Sequence, residues 1–242
     1  MIKFVLAFIV LWLTYCPMVS SATYINYTRL ILNESEREVT FSVKNEGNGA
    51  VLMQLWTDRD DVLERPENIK MPFLIQPPVF RLNAQEARKV RLQFVGSPGI
   101  LPADKESLFW LNVLEVPPKP NAKDNRNDNL LQVAFRTRIK IFYRPANVAK
   151  LRPENEVKRL TYSTVKCGSH YCIEMANPSP LHFTLLDITL NDGQRIKDIP
   201  DNGMILPNAS IRIPLKSNST LGTQLVSFNW VDDYGVGNVF NK

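Results

Sequence analysis

Residues able to do chemistry are few in this 242-residue chain. The two histidines are His170, inside Cys167-Gly-Ser-His-Tyr-Cys172, and His182, which closes Pro178-Ser-Pro-Leu-His. A hydrolase needs a nucleophile held beside a base, yet the chain spells no Gly-x-Ser-x-Gly, no His-Glu-x-x-His and no Gly-rich phosphate loop. Its carboxylates are scattered, with no spacing that pairs two of them. Catalysis is not expected, and neither is a cofactor or ATP. Cys167 and Cys172 with His170 make an incomplete zinc set, so no metal is expected either. In an oxidising compartment the two thiols form a disulfide. With Gly168-Ser169 as a turn between Val165 and Ile173, that bridge staples a hairpin tip, and closing so small a ring is worth about 2 kcal/mol.

The oxidising compartment follows from the first 22 residues. Lys3 supplies a positive start, 4–13 an apolar core and Ser20-Ser-Ala22 a small-residue cleavage site. The apolar run is short for a membrane span and no other run approaches 18 apolar residues, so a soluble exported chain is expected, cleaved after Ala22. Cys16 leaves with the leader. Four Asn-x-Ser/Thr sites, at Asn26, Asn33, Asn208 and Asn218, have meaning only in a eukaryotic secretory route. The formal charge of +5 is mild, and Lys3 goes with the leader. No Lys/Arg block is interleaved with aromatics, so nucleic acid is not an expected partner. A basic cleft for a carboxylate remains open.

What must position these residues is a set of strands. Short apolar or alternating runs lie at 24–32, 39–43, 51–57, 73–75, 81–82 and 89–94, separated by Asn/Asp/Gly/Pro turns. The run at 107–116 is apolar nearly throughout, so burial on both faces is expected. Gln76-Pro-Pro-Val79 cannot donate to a ladder from Pro77 or Pro78, and a cis bond is compatible with it. A longer strand is expected over 129–144. There Leu131, Val133 and Phe135 alternate with Gln132 and Ala134, and then Thr137, Ile139 and Ile141 oppose Arg136, Arg138 and Lys140. Arg136 and Arg138 are read as a solvated strand face. Regular short strands with turn signals argue for an immunoglobulin-like sandwich. After a two-proline hinge at 145–153, runs at 160–165, 171–175, 183–190, 211–215 and 225–231 give a second, smaller sandwich. The expected organisation is a leader at 1–22, an N-terminal immunoglobulin-like domain at 23–146 and a C-terminal one at 147–242.

Four segments carry a specific resemblance. Leu101-Pro-Ala-Asp-Lys-Glu-Ser-Leu-Phe-Trp-Leu-Asn-Val-Leu-Glu-Val-Pro117 is similar, position by position, to the signature segment of periplasmic pilus (fimbrial) assembly chaperones of the chaperone–usher pathway. Thr28-Arg29, Lys140-Ile-Phe-Tyr-Arg-Pro145 and Asp232-Asp-Tyr-Gly235 match in the right order, so the resemblance spans the mature chain. It implies an all-β, boomerang-like pair of sandwiches in the periplasm. It also implies stabilisation of pilus subunits, which are incomplete immunoglobulin-like domains, by donor-strand complementation, and their delivery to an outer-membrane usher. Residue by residue, it implies that Leu131, Val133 and Phe135 fill a subunit's groove and that Arg29 and Lys140 hold its C-terminal carboxylate. Glu106, Arg144 and Asp233 would form an interdomain ionic network. The loop at 117–129 is long for the short-loop subgroup, yet it lacks the flanking cysteine pair of the long-loop one. The alternative is a secreted tandem immunoglobulin-like adhesion or binding module.

Overall fold

The computed structural model describes residues 23–59, 63–97, 99–118, 133–216 and 222–241. The expected leader, the loop segment 119–132 and Leu131 within it therefore lie outside the described residues.

The N-terminal sandwich uses nine strands: β1 Thr23–Ile25, β2 Arg29–Asn33, β3 Glu38–Asn45, β4 Val51–Asp58, β5 Phe73–Gln76, β6 Val79–Leu82, β7 Ala87–Phe94, β8 Ser107–Val116 and β9 Phe135–Arg144. One sheet has the order β1-β3-β7-β5 and the other β2-β9-β8-β4-β6. Alternation drives both. Phe41 and Val43 of β3, Met53 and Leu55 of β4, Val90 and Leu92 of β7, and Ile139 and Ile141 of β9 all point into one core. The Gln76–Pro77 bond is cis.

The single strand expected at 24–32 is two strands in opposite sheets. β1 pairs antiparallel with β3, whereas β2 pairs parallel with β9. Asn26 ends the first pairing by accepting the Ser42 N–H at 2.8 Å on its side-chain oxygen, and 26–28 carry the chain across to the other sheet. Tyr24, Ile25 and Tyr27 lead into Leu30–Leu32 with no Gly or Pro between them, which is why the pattern alone reads as one element. The run at 107–116 is not buried on both faces throughout, because Leu108, Trp110 and Leu114 remain partly exposed.

The C-terminal sandwich follows a short helix, α1 Pro153–Glu156. Its strands are β10 Thr161–Cys167, β11 His170–Asn177, β12 Phe183–Leu190, β13 Arg195–Ile196, β14 Met204–Ile205, β15 Ala209–Pro214, β16 Leu225–Val231 and β17 Gly237–Asn241. One sheet is β10-β11-β15; the other is β13-β12-β16-β17, with β14 on β12. Cys167 and Cys172 are disulfide-bonded across the β10–β11 hairpin. β13 and β14 are two residues each, too short to leave a period in the sequence.

Both sandwiches close one strand end with the same device. Asn45, fully buried at the end of β3, donates from Nδ2 to the carbonyls of Gly49, Leu82 and Asn83 and accepts from the Gly47 N–H. Asn177, at the end of β11, donates to the carbonyls of Leu181, Ile205 and Leu206 and accepts from the Ser179 N–H. Each amide ties together three carbonyls from two separate stretches of the chain. Asn45→Ala or Asn177→Ala is expected to lower the unfolding free energy by about 2 kcal/mol, read from the urea midpoint; an unchanged midpoint would contradict the tether.

Candidate functional site

The parallel β2–β9 ladder sets Arg29 directly opposite Lys140. Both side chains leave the sheet on the face turned to the second domain. Arg29 donates from Nη1 to the Val231 carbonyl at 3.2 Å, while its Nε is buried with no hydrogen-bond partner. Its guanidinium lies 5.9 Å from the Phe142 ring. Lys140 Nζ donates to Thr184 Oγ1 at 2.9 Å and lies 5.9 Å from the Trp110 ring. Among the described residues, neither cation has a carboxylate within ion-pair distance. Burial, with the neighbouring Arg29 charge second, pushes the Lys140 ammonium down to about 8. Burial likewise lowers Arg29, against the raising effect of Asp233, Asp232 and Glu106. Adjacent, partly buried cations without an ion-pair partner among the described residues are chemically able to bind an anion. A carboxylate fits, since the planar fork can hold both oxygens and the ammonium adds a point charge.

Four residues further along β9, Arg144 is buried and crosses between the domains. It donates from Nε to Glu106 Oε1 at 2.7 Å, and from Nη1 and Nη2 to the two Asp233 oxygens at 2.6 and 2.7 Å. The second Glu106 oxygen accepts the His182 backbone N–H at 2.8 Å and lies 2.7 Å from the His182 Nδ1. Burial alone would raise the Glu106 carboxyl, but the His182 hydrogen bond and the Arg144 charge hold it below its ordinary value. Burial would lower Arg144, and the Asp233 hydrogen bonds with the Glu106 charge raise it instead. The turn carrying Asp233 is pressed onto the first domain. Gly235 has φ +81°, and a Cβ there would stand 2.0 Å from Thr28 Oγ1, so only glycine fits.

Of the expected donor residues, Val133 precedes β9 and Phe135 is its first residue; each is about half exposed. The strand is therefore shorter at its start than the 129–144 expected. Phe135 shares a parity with Ile139, Ile141 and Tyr143, so it continues the core face beyond its own core. β2 borders only Lys140–Arg144. Among the described residues no strand borders Phe135–Ile139 on that side, which leaves an open, partly apolar edge.

Arg136 and Arg138 are not a solvated face. Both bind Asp58, whose side chain is 2% exposed. The carboxylate arrives from β4, two strands away, and no periodicity within β9 reports it. His182, Thr184 and Val231 were likewise missed as parts of the site. His182 was placed only as the histidine closing Pro178-Ser-Pro-Leu-His, with no role assigned, and Val231 acts through its backbone.

Both halves of the chain match known families. Residues 22–149 match the pili and flagellar-assembly chaperone, PapD N-terminal domain, and residues 155–240 match the pili assembly chaperone PapD, C-terminal domain. The probable fimbrial chaperone YadV of Escherichia coli strain K12 is 34% identical over 212 residues, covering 87% of this chain and 85% of YadV. The chaperone protein FimB/FhaD of Bordetella pertussis is 32% identical over 222 residues, covering 90% and 86%. The crystal structure of the YadV chaperone superposes with a TM-score of 0.74 at 32% identity, over 92% of this chain and 99% of that one.

Two outcomes follow from the geometry. In the free protein, Lys140 should titrate with a midpoint near pH 8 rather than the ordinary lysine 10.5 when followed by NMR of its side chain. Arg29→Gln should move that midpoint upward, because it removes the nearest like charge; an ordinary titration in both proteins would contradict the buried pair. Arg144→Ala leaves Glu106 and Asp233 without their shared guanidinium, and about 3–5 kcal/mol of stability should go with it. A lowered thermal midpoint and a wider spread of interdomain distances by small-angle scattering are the expected readouts; neither changing would count against the latch.

Proposed function

The chain belongs to the PapD-type pili assembly chaperones, and on that premise we propose that it is a periplasmic chaperone that completes pilus subunits with its own β9 edge and hands them to an outer-membrane usher. The observation that carries the proposal is where the open edge ends. β2 begins at Arg29, opposite Lys140, so among the described residues the stretch Phe135–Ile139 has no neighbouring strand on one side and stops at two cations lacking a carboxylate. A guest strand laid parallel to β9 on that edge would end at the start of β2. Its C-terminal carboxylate would then meet Arg29 and Lys140. An antiparallel guest would bring an ammonium to the same point and be repelled. Charge thus selects the direction of pairing.

Main-chain hydrogen bonds along the edge give affinity without regard to sequence, and alternate side chains give fit. Leu131, Val133 and Phe135 would enter the subunit's open core, each worth about 1.5–3 kcal/mol on burial. Association costs at least several kcal/mol, so the side chains alone leave little net affinity. Backbone pairing and the anchored carboxylate supply the remainder.

A tagged chain recovered from periplasm should carry stoichiometric fimbrial subunits, identified by mass spectrometry. Arg29→Ala or Lys140→Ala should strip them, as should a short extension that moves the subunit's terminal carboxylate. Full retention in both variants and with the extended subunit would overturn the anchor.

A further inference from the structure

Among the described residues the outer half of β9 has one neighbouring strand, and it carries the half-exposed Phe135 on its donor side. Edge segments of this kind fray or pair with the wrong chain unless something restrains them. The restraint lies on the opposite face. Cross-strand register sets Trp56, Asn112 and Arg138 in one row and Asp58, Trp110 and Lys140 in the next. Arg136 and Arg138 both lean along the strand by one row. The Arg136 guanidinium stacks 4.9 Å from the Trp56 ring and donates from Nε and Nη2 to Asn112 Oδ1 at 2.8 and 2.6 Å. The Arg138 guanidinium stacks 4.2 Å from the Trp110 ring and donates from Nε and Nη2 to Asp58. Asn112, fully buried, turns its Nδ2 to Asp58 Oδ2 at 2.6 Å, and Arg136 Nη2 reaches the same oxygen at 3.4 Å.

Asp58 is thus a nearly inaccessible carboxylate at the end of β4 into which both outer arginines of β9 are drawn. Resting on the donor-strand function proposed above, we propose that Asp58 is the positioning residue of the donor strand. Through Arg136 and Arg138 it pins the even-numbered face of Phe135–Ile139 to the sheet, so that the odd-numbered face stays extended and open to a guest. Arginine is required because the restraint needs a fork and a flat face together; a lysine point charge supplies neither. Removing this buried ion cluster costs geometry where the strand has no second neighbour, and far less in the inner half that β2 covers.

The test needs no subunit in its first arm. Amide exchange in the free chain should accelerate at least tenfold at the β8-bonded amides of 135–139 in Asp58→Asn, with 140–144 and 155–240 unchanged. Arg138→Gln should do the same, and Arg138→Lys should recover only part of the protection. Arg136→Gln, at a less buried site, gives the same reading if Asp58→Asn does not fold. Unchanged exchange, or acceleration spread evenly through the domain, would overturn the proposal. In the second arm the Asp58→Asn bait should recover several-fold less subunit from the same periplasmic extract. Undiminished capture despite locally faster exchange would overturn the positioning role. Failure of the wild-type bait to capture subunits would instead overturn the donor-strand function and leave the exchange result standing.

Discussion

Five residues of parallel ladder, Arg29–Asn33 against Lys140–Arg144, constrain the rest of the molecule. Parallel neighbours inside one sandwich are unusual because a hairpin cannot join them; β2 reaches β9 only because the chain crosses between sheets at 26–28. That short ladder fixes three things at once. It caps the open edge of β9 at Lys140, it places Arg29 opposite Lys140, and it brings Arg144 to the domain boundary. Were β2 a few residues longer toward its start, it would cover the Phe135–Ile139 edge.

The ladder carries a cost. Lys140 is charged in both folded and unfolded chains below about pH 8, so in that range the folded state bears the whole penalty of burying it. Above pH 8 the folded ammonium loses its proton first, and the penalty shrinks until the unfolded lysine also deprotonates near 10.5. Stability therefore rises across that window, the opposite of what a paired lysine would show. A buried carboxylate from this chain would have removed the penalty. Of the acids that act on Arg29, Asp233 and Glu106 are committed to Arg144, and Asp232 accepts hydrogen bonds within its own turn.

Much of this was legible in the sequence, for identifiable reasons. Alternation exposed most strands because each has one buried face, and the spaced turns indicated two sandwiches. The cysteine pair announced its hairpin by proximity. Lys140, Arg144, Arg29, Glu106 and Asp233 were named through matched segments; nothing in their spacing could pair residues as distant as Glu106 and His182. The β1–β2 break stayed hidden because no Gly or Pro marks the change of sheet at 26–28. Arg136 and Arg138 looked solvated for a different reason. Period-2 alternation tells which face a residue takes, not whether a buried acid two strands away waits there. Thr184 and Val231 left no signal, since one contributes an ordinary hydroxyl and the other a carbonyl.

The two domains are coupled at the Arg29–Lys140 pair itself. The hydrogen bonds of Arg29 and Lys140 run to the second domain, to the Val231 carbonyl and the Thr184 hydroxyl. Val231 ends the strand whose following turn holds Asp233, and Thr184 lies two residues after His182, which binds Glu106. The contacts that set the interdomain angle are therefore at most two residues from those that aim the cations. An N-terminal sandwich alone would still present the β9 edge, but its two cations would be free to turn into water and to separate. Arg29 and Lys140 are held in one orientation only where both domains meet, because their hydrogen-bond acceptors belong to the second domain.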